Sequence, residues 1–122
     1  PEGYDPDIDM VETAQNSKLS EIDISHDPFE AVKDADVIYT DVWASMGQKE
    51  QTDQRRSDFS TFQVNSKLLA ATGKKTLFMH CLPAHRGEEI SDDLLEDPRS
   101  VVWEEAGNRL HSQKALLEFM LS

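Results

Sequence analysis

The chain has 122 residues, of which 38% are hydrophobic, and its 24 acidic and 12 basic residues (counting Lys and Arg) give a formal net charge of −12. This length predicts at most one domain, and the negative charge disfavours a nucleic-acid backbone or an anionic membrane as a partner. No apolar run is long enough to span a membrane, the N-terminus lacks a signal-peptide pattern, and the single cysteine allows no internal disulfide, which fits a reducing compartment.

The first half of the chain is predicted to contain two helices and two strands. Residues Asp7–Leu19 favour a helix, because acids occupy its first turn and a lysine its last, as the helix dipole prefers. Glu21–Ser25 alternates polar and apolar residues, which is typical of a half-buried or edge strand. Asp27 is a suitable N-cap for a short helix with Pro28 in its first position. Val37–Thr40 is predicted to be a buried strand.

The second half continues the alternation of helices and strands. Strands are predicted over Thr76–Met79 and Val101–Trp103. Helical spacing or capping residues indicate helices within residues 48–62, from Asn65 to a left-handed Gly73, after Ser91, and over Glu104–Met120. The last helix carries an apolar stripe of Leu110, Ala115, Leu116 and Phe119. The alternation predicts an α/β fold in which helices cover a parallel, Rossmann-like sheet.

Reactive side chains cluster just after the predicted strands. In a parallel sheet these loops emerge at one edge, so Asp41, Ser45, Cys81 and Arg86 are expected to converge there. Arg109 follows the last predicted strand and could bind a carboxylate or phosphate at the same edge. An acid, a hydroxyl, a thiol and an arginine together suit a ligand that carries an amine and an anionic group.

Each of these residues also has an ordinary structural interpretation. Asp41 could cap the segment that follows, Ser45 could belong to a plain turn, Cys81 could be a small buried hydrophobe, and Arg109 could be a surface charge. A zinc site is disfavoured, because there is no second cysteine and the spacings match no common pattern. The candidate ligands of such a site would be His80, Cys81, His85 and His111.

Three motifs together resemble the ornithine carbamoyltransferases: Asp41–Gly47, His80–Gly87 and Glu104–Arg109. The resemblance extends over nearly all of the chain, and the Ser-Met-Gly loop and His-Cys pair separate it from the aspartate-specific relatives. It implies that residues 1–122 form part of the ornithine-binding domain. The carbamoyl-phosphate-binding domain and two central sheet strands would then be absent, and the start at Pro1, without an initiator methionine, is expected of a piece of a longer protein.

The resemblance also implies roles for individual residues. Catalytic roles fall to Asp41 and Cys81, and the residues implied to bind substrate are Asp41, Ser45, Met46, Cys81, Leu82 and Arg109. In this scheme the Leu82 carbonyl accepts a hydrogen bond from the carbamoyl NH2 group, and the Leu82–Pro83 peptide bond is cis. Arg109 contributes to binding carbamoyl phosphate.

The implied reaction transfers a carbamoyl group from carbamoyl phosphate to the δ-amine of ornithine, giving citrulline and phosphate, with no metal or organic cofactor. The implied context is arginine biosynthesis or the urea cycle, in a homotrimer or a multiple of trimers. The implied location is the cytoplasm, or the mitochondrial matrix or plastid of a eukaryote. The isolated chain is expected to be inactive. The alternatives are a carbamoyltransferase with another amine acceptor and a non-catalytic amino-acid-binding module.

Overall fold

A parallel pair of short strands forms the centre of the structure, a computed structural model that describes residues 1–44 and 52–122. Strand β1 is Val37–Thr40 and strand β2 is Leu77–His80. Their register places Val37 opposite Leu77 and Thr40 opposite His80. The parallel direction and the helices between and after the strands confirm the predicted α/β class.

The described helices are α1 (Ile8–Asn16), α2 (Pro28–Ala31), α3 (Thr52–Asp58), α4 (Ser66–Ala71) and α5 (Val102–Leu121), with 3-10 turns at Ser60–Phe62 and Leu94–Glu96. The predicted caps Asp27 and Asn65 are confirmed, and Asp7, which is expected within the first helical turn, is the N-cap of α1. Side-chain oxygens of Asp7, Asp27 and Asn65 accept backbone N–H groups of the first helical turns at 3.0, 2.8 and 3.0 Å. None of the described helices is both long enough and apolar enough to cross a membrane.

The predicted strand at Glu21–Ser25 is wrong. These residues have no regular secondary structure, and Ile24 is half exposed. The alternation of polar and apolar residues indicates which face of a strand would be buried. It cannot supply a neighbouring strand with which to share hydrogen bonds, and pairing of that kind decides whether a strand forms.

The predicted strand at Val101–Trp103 is also wrong, because helix α5 already begins at Val102. The segment just before this helix, residues 99–101, still forms hydrogen bonds with β2. Phe78 donates its N–H to the Arg99 carbonyl at 2.9 Å, and Val101 donates its N–H to the Phe78 carbonyl at 3.0 Å. Short apolar runs suit either a strand or the buried start of a helix. Two glutamates in the first turn of α5 favour the helix through its dipole.

The core lies on one face of the sheet, beneath the helices and the loop after β2. Phe78 of β2 is fully buried and Ile38 of β1 nearly so, and His80 follows Phe78 onto the same face. The other hydrophobic members of this core are Val32, Val64, Leu68, Leu69, Ile90, Leu94, Leu95 and Val102. The opposite face leaves Val37, Tyr39 and Leu77 exposed by 45, 54 and 39%. Parallel sheets are normally covered on both faces, so only one of two expected layers is present among the described residues.

Helix α5 leaves the core after its first turn. Val102 is fully buried, whereas Leu110 and Phe119 are 71 and 81% exposed. The predicted helix is therefore confirmed, with an earlier start, but its apolar stripe packs against none of the described residues closely enough to be buried. The first turns of α5 contribute to the candidate site, because Glu105 accepts the N–H of His80 in β2 at 3.1 Å.

Candidate active site

Asp41 and Cys81 meet at the carboxyl edge of the sheet. Each directly follows the last residue of a strand, and the parallel register brings those strand ends side by side. The Cys81 thiol donates a hydrogen bond to the Asp41 carboxylate, which also accepts the Val42 N–H at 2.7 Å. The convergence of these two residues, expected from the strand pattern, is therefore present.

The contact between Asp41 and Cys81 shifts their pKa values in opposite directions. The hydrogen bond from Cys81, followed by that from the Val42 N–H, lowers the pKa of Asp41 below its ordinary value. Burial, followed by the hydrogen bond to Asp41, raises the pKa of Cys81. At neutral pH Asp41 is thus a carboxylate beside a protonated thiol. A reactive cysteine nucleophile needs the opposite shift.

A pocket of about 420 Å³ opens beside Cys81. Its walls are Tyr39, His80, Cys81, Leu82, Glu105, Ala106 and Arg109. The Glu105 carboxylate accepts the His80 N–H at 3.1 Å, and its hydrogen bond with the Tyr39 hydroxyl, together with burial, raises the pKa of Tyr39 to about 12. Arg109 has no hydrogen bond or ion pair with any residue that the structure describes, so its guanidinium is available to an anion.

A second pocket, of about 430 Å³, adjoins the first and shares Tyr39 with it. Asp41 and Arg55 line this pocket together with aromatic and aliphatic side chains: Tyr39, Val42, Trp43, Phe59, Phe62 and Val64. Arg55 donates from Nη1 to the Trp43 carbonyl at 3.2 Å. That bond joins α3 to the segment after β1 and holds the backbone beside Asp41.

The loop after β2 is tied down by a buried histidine. His80 Nδ1 accepts the Leu82 N–H at 2.9 Å, and His80 Nε2 lies 3.0 Å from Glu89 Oε1. Because Nδ1 is an acceptor, the ring proton is assigned to Nε2, which donates to Glu89. Both ring nitrogens are engaged, so His80 cannot serve in the disfavoured zinc set. The Leu82–Pro83 bond is cis, as the resemblance implies.

Arg86 does not join the site, and this part of the expected convergence is wrong. Its guanidinium forms a two-pronged pair with Glu96 at 2.8 and 2.7 Å and also donates to the Asp92 carbonyl. Arg86 lines neither of the two pockets, and its charge is paired with Glu96 instead. Within residues 1–44 and 52–122, one group of side chains has metal-ligand spacing: His85, Glu88 and Glu89, with ligand atoms within 4.8 Å.

Comparison with known proteins decides the family. The sequence model of the aspartate/ornithine carbamoyltransferase Asp/Orn-binding domain matches residues 1–120. The chain belongs to this carbamoyltransferase family. Ornithine carbamoyltransferase from Chromohalobacter salexigens is 58% identical over 121 residues, which are 99% of this chain and 38% of that protein. The Pyrococcus horikoshii enzyme is 53% identical, with coverage of 99 and 39%.

Solved structures of the carbamoyltransferase family have the same fold. Ornithine carbamoyltransferase from Pyrococcus furiosus superposes with a TM-score of 0.85 at 52% identity, over 96% of this chain and 38% of that one. The anabolic enzyme from Campylobacter jejuni gives a TM-score of 0.90 at 38% identity, over 98 and 40%. The chain thus spans about two fifths of the length of the carbamoyltransferases that it matches.

The structure places four of the six carbamoyltransferase residues expected from sequence. Asp41 and Cys81 are in contact, and Cys81, Leu82 and Arg109 share one pocket. Ser45 and Met46 lie outside the described residues. Their roles, like those of the other four, stay predictions.

Sequence reasoning missed three residues of this site: Tyr39, Glu89 and Glu105. Tyr39 could have been found, because alternation along β1 places it on the face opposite Ile38. Glu105 belongs to the Glu104–Arg109 motif, but no role was predicted for it, since a glutamate in the first turn of a helix usually only complements the helix dipole. Glu89 had no distinguishing signal, since an acidic pair such as Glu88-Glu89 usually indicates a solvated surface.

Proposed function

We propose that this chain is the ornithine-binding part of an ornithine carbamoyltransferase. The observation that carries the proposal is the Asp41–Cys81 contact at the carboxyl edge of a parallel sheet, in a member of the carbamoyltransferase family. The relatives compared above are named ornithine carbamoyltransferases, which favours ornithine over aspartate as the amine acceptor.

The charges of the two pockets suit the two substrates. Arg109, free of ion pairs among the described residues, would bind the phosphate end of carbamoyl phosphate through its guanidinium fork. Asp41 in the adjoining pocket would attract the ammonium groups of ornithine. The reacting centre would lie beside Cys81, where the two pockets approach each other next to Tyr39.

The proposed reaction is a direct transfer. The neutral δ-amine attacks the carbamoyl carbon, a C–N bond forms, and the C–O bond to phosphate breaks so that phosphate leaves with the electron pair. The amine then loses a proton. An amine with a pKa near 10 is mostly protonated at neutral pH, so the site must favour its free base. Asp41 would hold the amine in position, and the protonated Cys81 would orient it without forming a covalent intermediate.

The remaining residues complete the proposed site. The Leu82 carbonyl would accept from the carbamoyl NH2 group, and Ser45 and the Met46 backbone would hold the amino-acid end of ornithine. We further propose a role in arginine metabolism, assembly of the complete protein as a homotrimer or a multiple of it, and a location in the cytoplasm or, in a eukaryote, in an organelle. No metal or organic cofactor is part of the proposed mechanism.

The test uses a chimera in which residues 1–122 replace the matching segment of the Chromohalobacter salexigens protein, to which they are 58% identical over 121 residues. We expect the chimera to form citrulline from ornithine and carbamoyl phosphate, and to carbamoylate aspartate far more slowly. If the chimera carbamoylates aspartate faster than ornithine, the alternative of another amine acceptor would be supported. Titration calorimetry with ornithine would identify a binding module if ornithine binds and no product forms. Absence of both binding and turnover, with the donor protein active, would overturn the proposal.

A further inference from the structure

The buried carboxyl of Glu89 contacts both ends of the loop that follows β2. Its Oε1 lies 3.0 Å from His80 Nε2 and accepts the His85 N–H at 2.5 Å. His80 is the last residue of β2, and His85 lies beyond the Cys81–Ala84 segment. One oxygen of Glu89 therefore contacts the residues on both sides of Cys81–Ala84, the segment that contains the thiol and the cis peptide bond.

Glu89 is itself fixed to the core. Its carbonyl accepts the Val64 N–H at 2.9 Å, and the next residue, Ile90, is fully buried. The Glu89 side chain is fully buried too. Burial of a carboxyl group is costly unless hydrogen bonds compensate for lost hydration. At Glu89 the compensating donors come from the two ends of the active-site loop, so the buried group links the core to that loop.

The link continues to the atoms expected to touch substrate. From Glu89 it passes through His80 Nε2 to Nδ1, which accepts the Leu82 N–H at 2.9 Å. Leu82 has a positive φ of 55°, a conformation that is unfavourable for leucine and must be held by its surroundings. The Leu82 N–H belongs to the peptide that joins Cys81 to Leu82, so this bond holds the backbone between the Cys81 side chain and the Leu82 carbonyl.

We propose that Glu89 is a positioning residue, which orients Cys81 and the Leu82 carbonyl through His80 and the backbone of His85. The inference rests on the proposed carbamoyl transfer. Glu89 would touch neither substrate. Its effect would be to hold the reacting groups in place, and a displacement of about 1 Å at a reacting centre can lower a rate about a hundredfold.

The proposal is tested with two variants of similar size in the chimera. In Glu89→Gln the amide oxygen can still accept from His80 and His85, and the NH2 group replaces Oε2, an atom without a hydrogen bond among the described residues. In Glu89→Met both acceptors are lost. We expect kcat for citrulline formation to fall at least tenfold in Glu89→Met, with KM for ornithine changed less than threefold. We expect Glu89→Gln to stay within about threefold of the parent.

A second readout does not depend on turnover. The rate of Cys81 alkylation, followed on the Cys81 peptide by mass spectrometry, is expected to change at least threefold in Glu89→Met and to stay unchanged in Glu89→Gln. If Glu89→Met does not fold, His80→Gln applies the same test, since it keeps a donor toward Glu89 but loses the acceptor for Leu82. It too should lower kcat at least tenfold.

Two results would overturn the inference. One is a folded Glu89→Met variant, or His80→Gln in its place, with the parent's kcat and Cys81 reactivity, even if its thermal stability is lower. The other is a Glu89→Gln variant as impaired as Glu89→Met, because that would make the charge and not the hydrogen bonds decisive. An inactive parent chimera contradicts the proposed function instead, so the two failures are distinguishable.

Discussion

At the scale of single residues, the site depends on the different environments of two adjacent groups. Asp41 keeps its charge because the Cys81 thiol and the Val42 N–H both donate to it. Cys81 keeps its proton because it is partly buried beside that charge. The pair therefore suits a reaction in which an amine is held and oriented, and does not suit one that begins with a thiolate.

Asp41→Asn in the chimera should lower kcat/KM for ornithine by roughly a hundredfold, because loss of a charge facing an ammonium in a partly dry site costs a few kcal/mol. The matched control is Asp36→Asn just before β1, where the acid is 86% exposed and paired with Lys74. Steady-state citrulline assays measure both variants. Ornithine kinetics within twofold of the parent in Asp41→Asn would contradict the role given to this acid.

Cys81→Ser should reduce turnover without abolishing it, since direct attack by the amine requires no acyl-enzyme. A serine hydroxyl can still donate to Asp41, although its shape and polarity differ from those of the thiol. Citrulline assays give the residual rate, and mass spectrometry of the working enzyme monitors Cys81. A carbamoyl adduct on Cys81 that forms and decays at the rate of turnover would show that the thiol is a covalent nucleophile.

The Cys81 thiolate should appear at a higher pH than that of an ordinary cysteine, because burial and the neighbouring Asp41 raise the pKa of the thiol. Asp41→Asn removes a negative charge and a carboxylate acceptor, so it should lower this pKa and accelerate alkylation at pH 8. The measurement is the iodoacetamide rate on the Cys81 peptide between pH 6 and 10. A slower or unchanged rate in the variant would contradict the assigned contact.

At the scale of elements, strand ends and helix ends bring the site together. Strands β1 and β2 bring Asp41 and Cys81 to one edge of the sheet, and the first turns of α5 place Glu105 and Arg109 in the pocket beside Cys81. The chain enters β2 from α4, so the turn between these two elements helps to set the position of β2. Gly73 just beyond α4 adopts a φ of +75°.

Gly73→Ala should destabilise the chimera by about 1 kcal/mol, because a Cβ disfavours the left-handed conformation although no atom lies within 4 Å of it. Gly107→Ala is the control. It too has open space, but it lies inside α5 with ordinary helical geometry, so alanine should stabilise it by about 0.5–1 kcal/mol. Denaturant unfolding compares the two. Equal effects would show that the backbone conformation at Gly73 is not decisive.

At the scale of the whole molecule, we expect the chain to supply one side of the proposed site. Among residues 1–44 and 52–122, side chains cover one sheet face and leave the other exposed, and the distal apolar residues of α5 are exposed too. Solved relatives are matched over about two fifths of their length. Among the described residues that line the pocket beside Cys81, Arg109 is the one arginine or lysine, in a chain of net charge −12.

The 122-residue chain alone should therefore form no citrulline. A phosphate dianion needs more positive charge and more donors than one guanidinium supplies. Strands that are covered on one face only would also position the loops after β1 and β2 less precisely than strands covered on both faces. The test is a citrulline assay on purified, monodisperse chain, with Arg109→Ala as the control. Turnover that disappears in the control would show that this chain builds a complete site.

The sequence by itself determined the elements whose cause is local. Asp27 before Pro28, Asn65 before α4 and the glycine after it act through neighbouring backbone groups, and all three functioned as predicted. The order of strands and helices also predicted the parallel direction, and with it the meeting of Asp41 with Cys81.

Only the tertiary structure decided what depends on distant partners. Glu88 and Glu89 are identical neighbours in sequence, yet Glu88 pairs with Arg56 at the surface and Glu89 is buried against His80. Val102 begins a helix, although its apolar neighbours suit a strand equally well. Burial and pairing are properties of the surroundings that the whole chain creates, so a local pattern cannot reveal which of two like residues will enter the site.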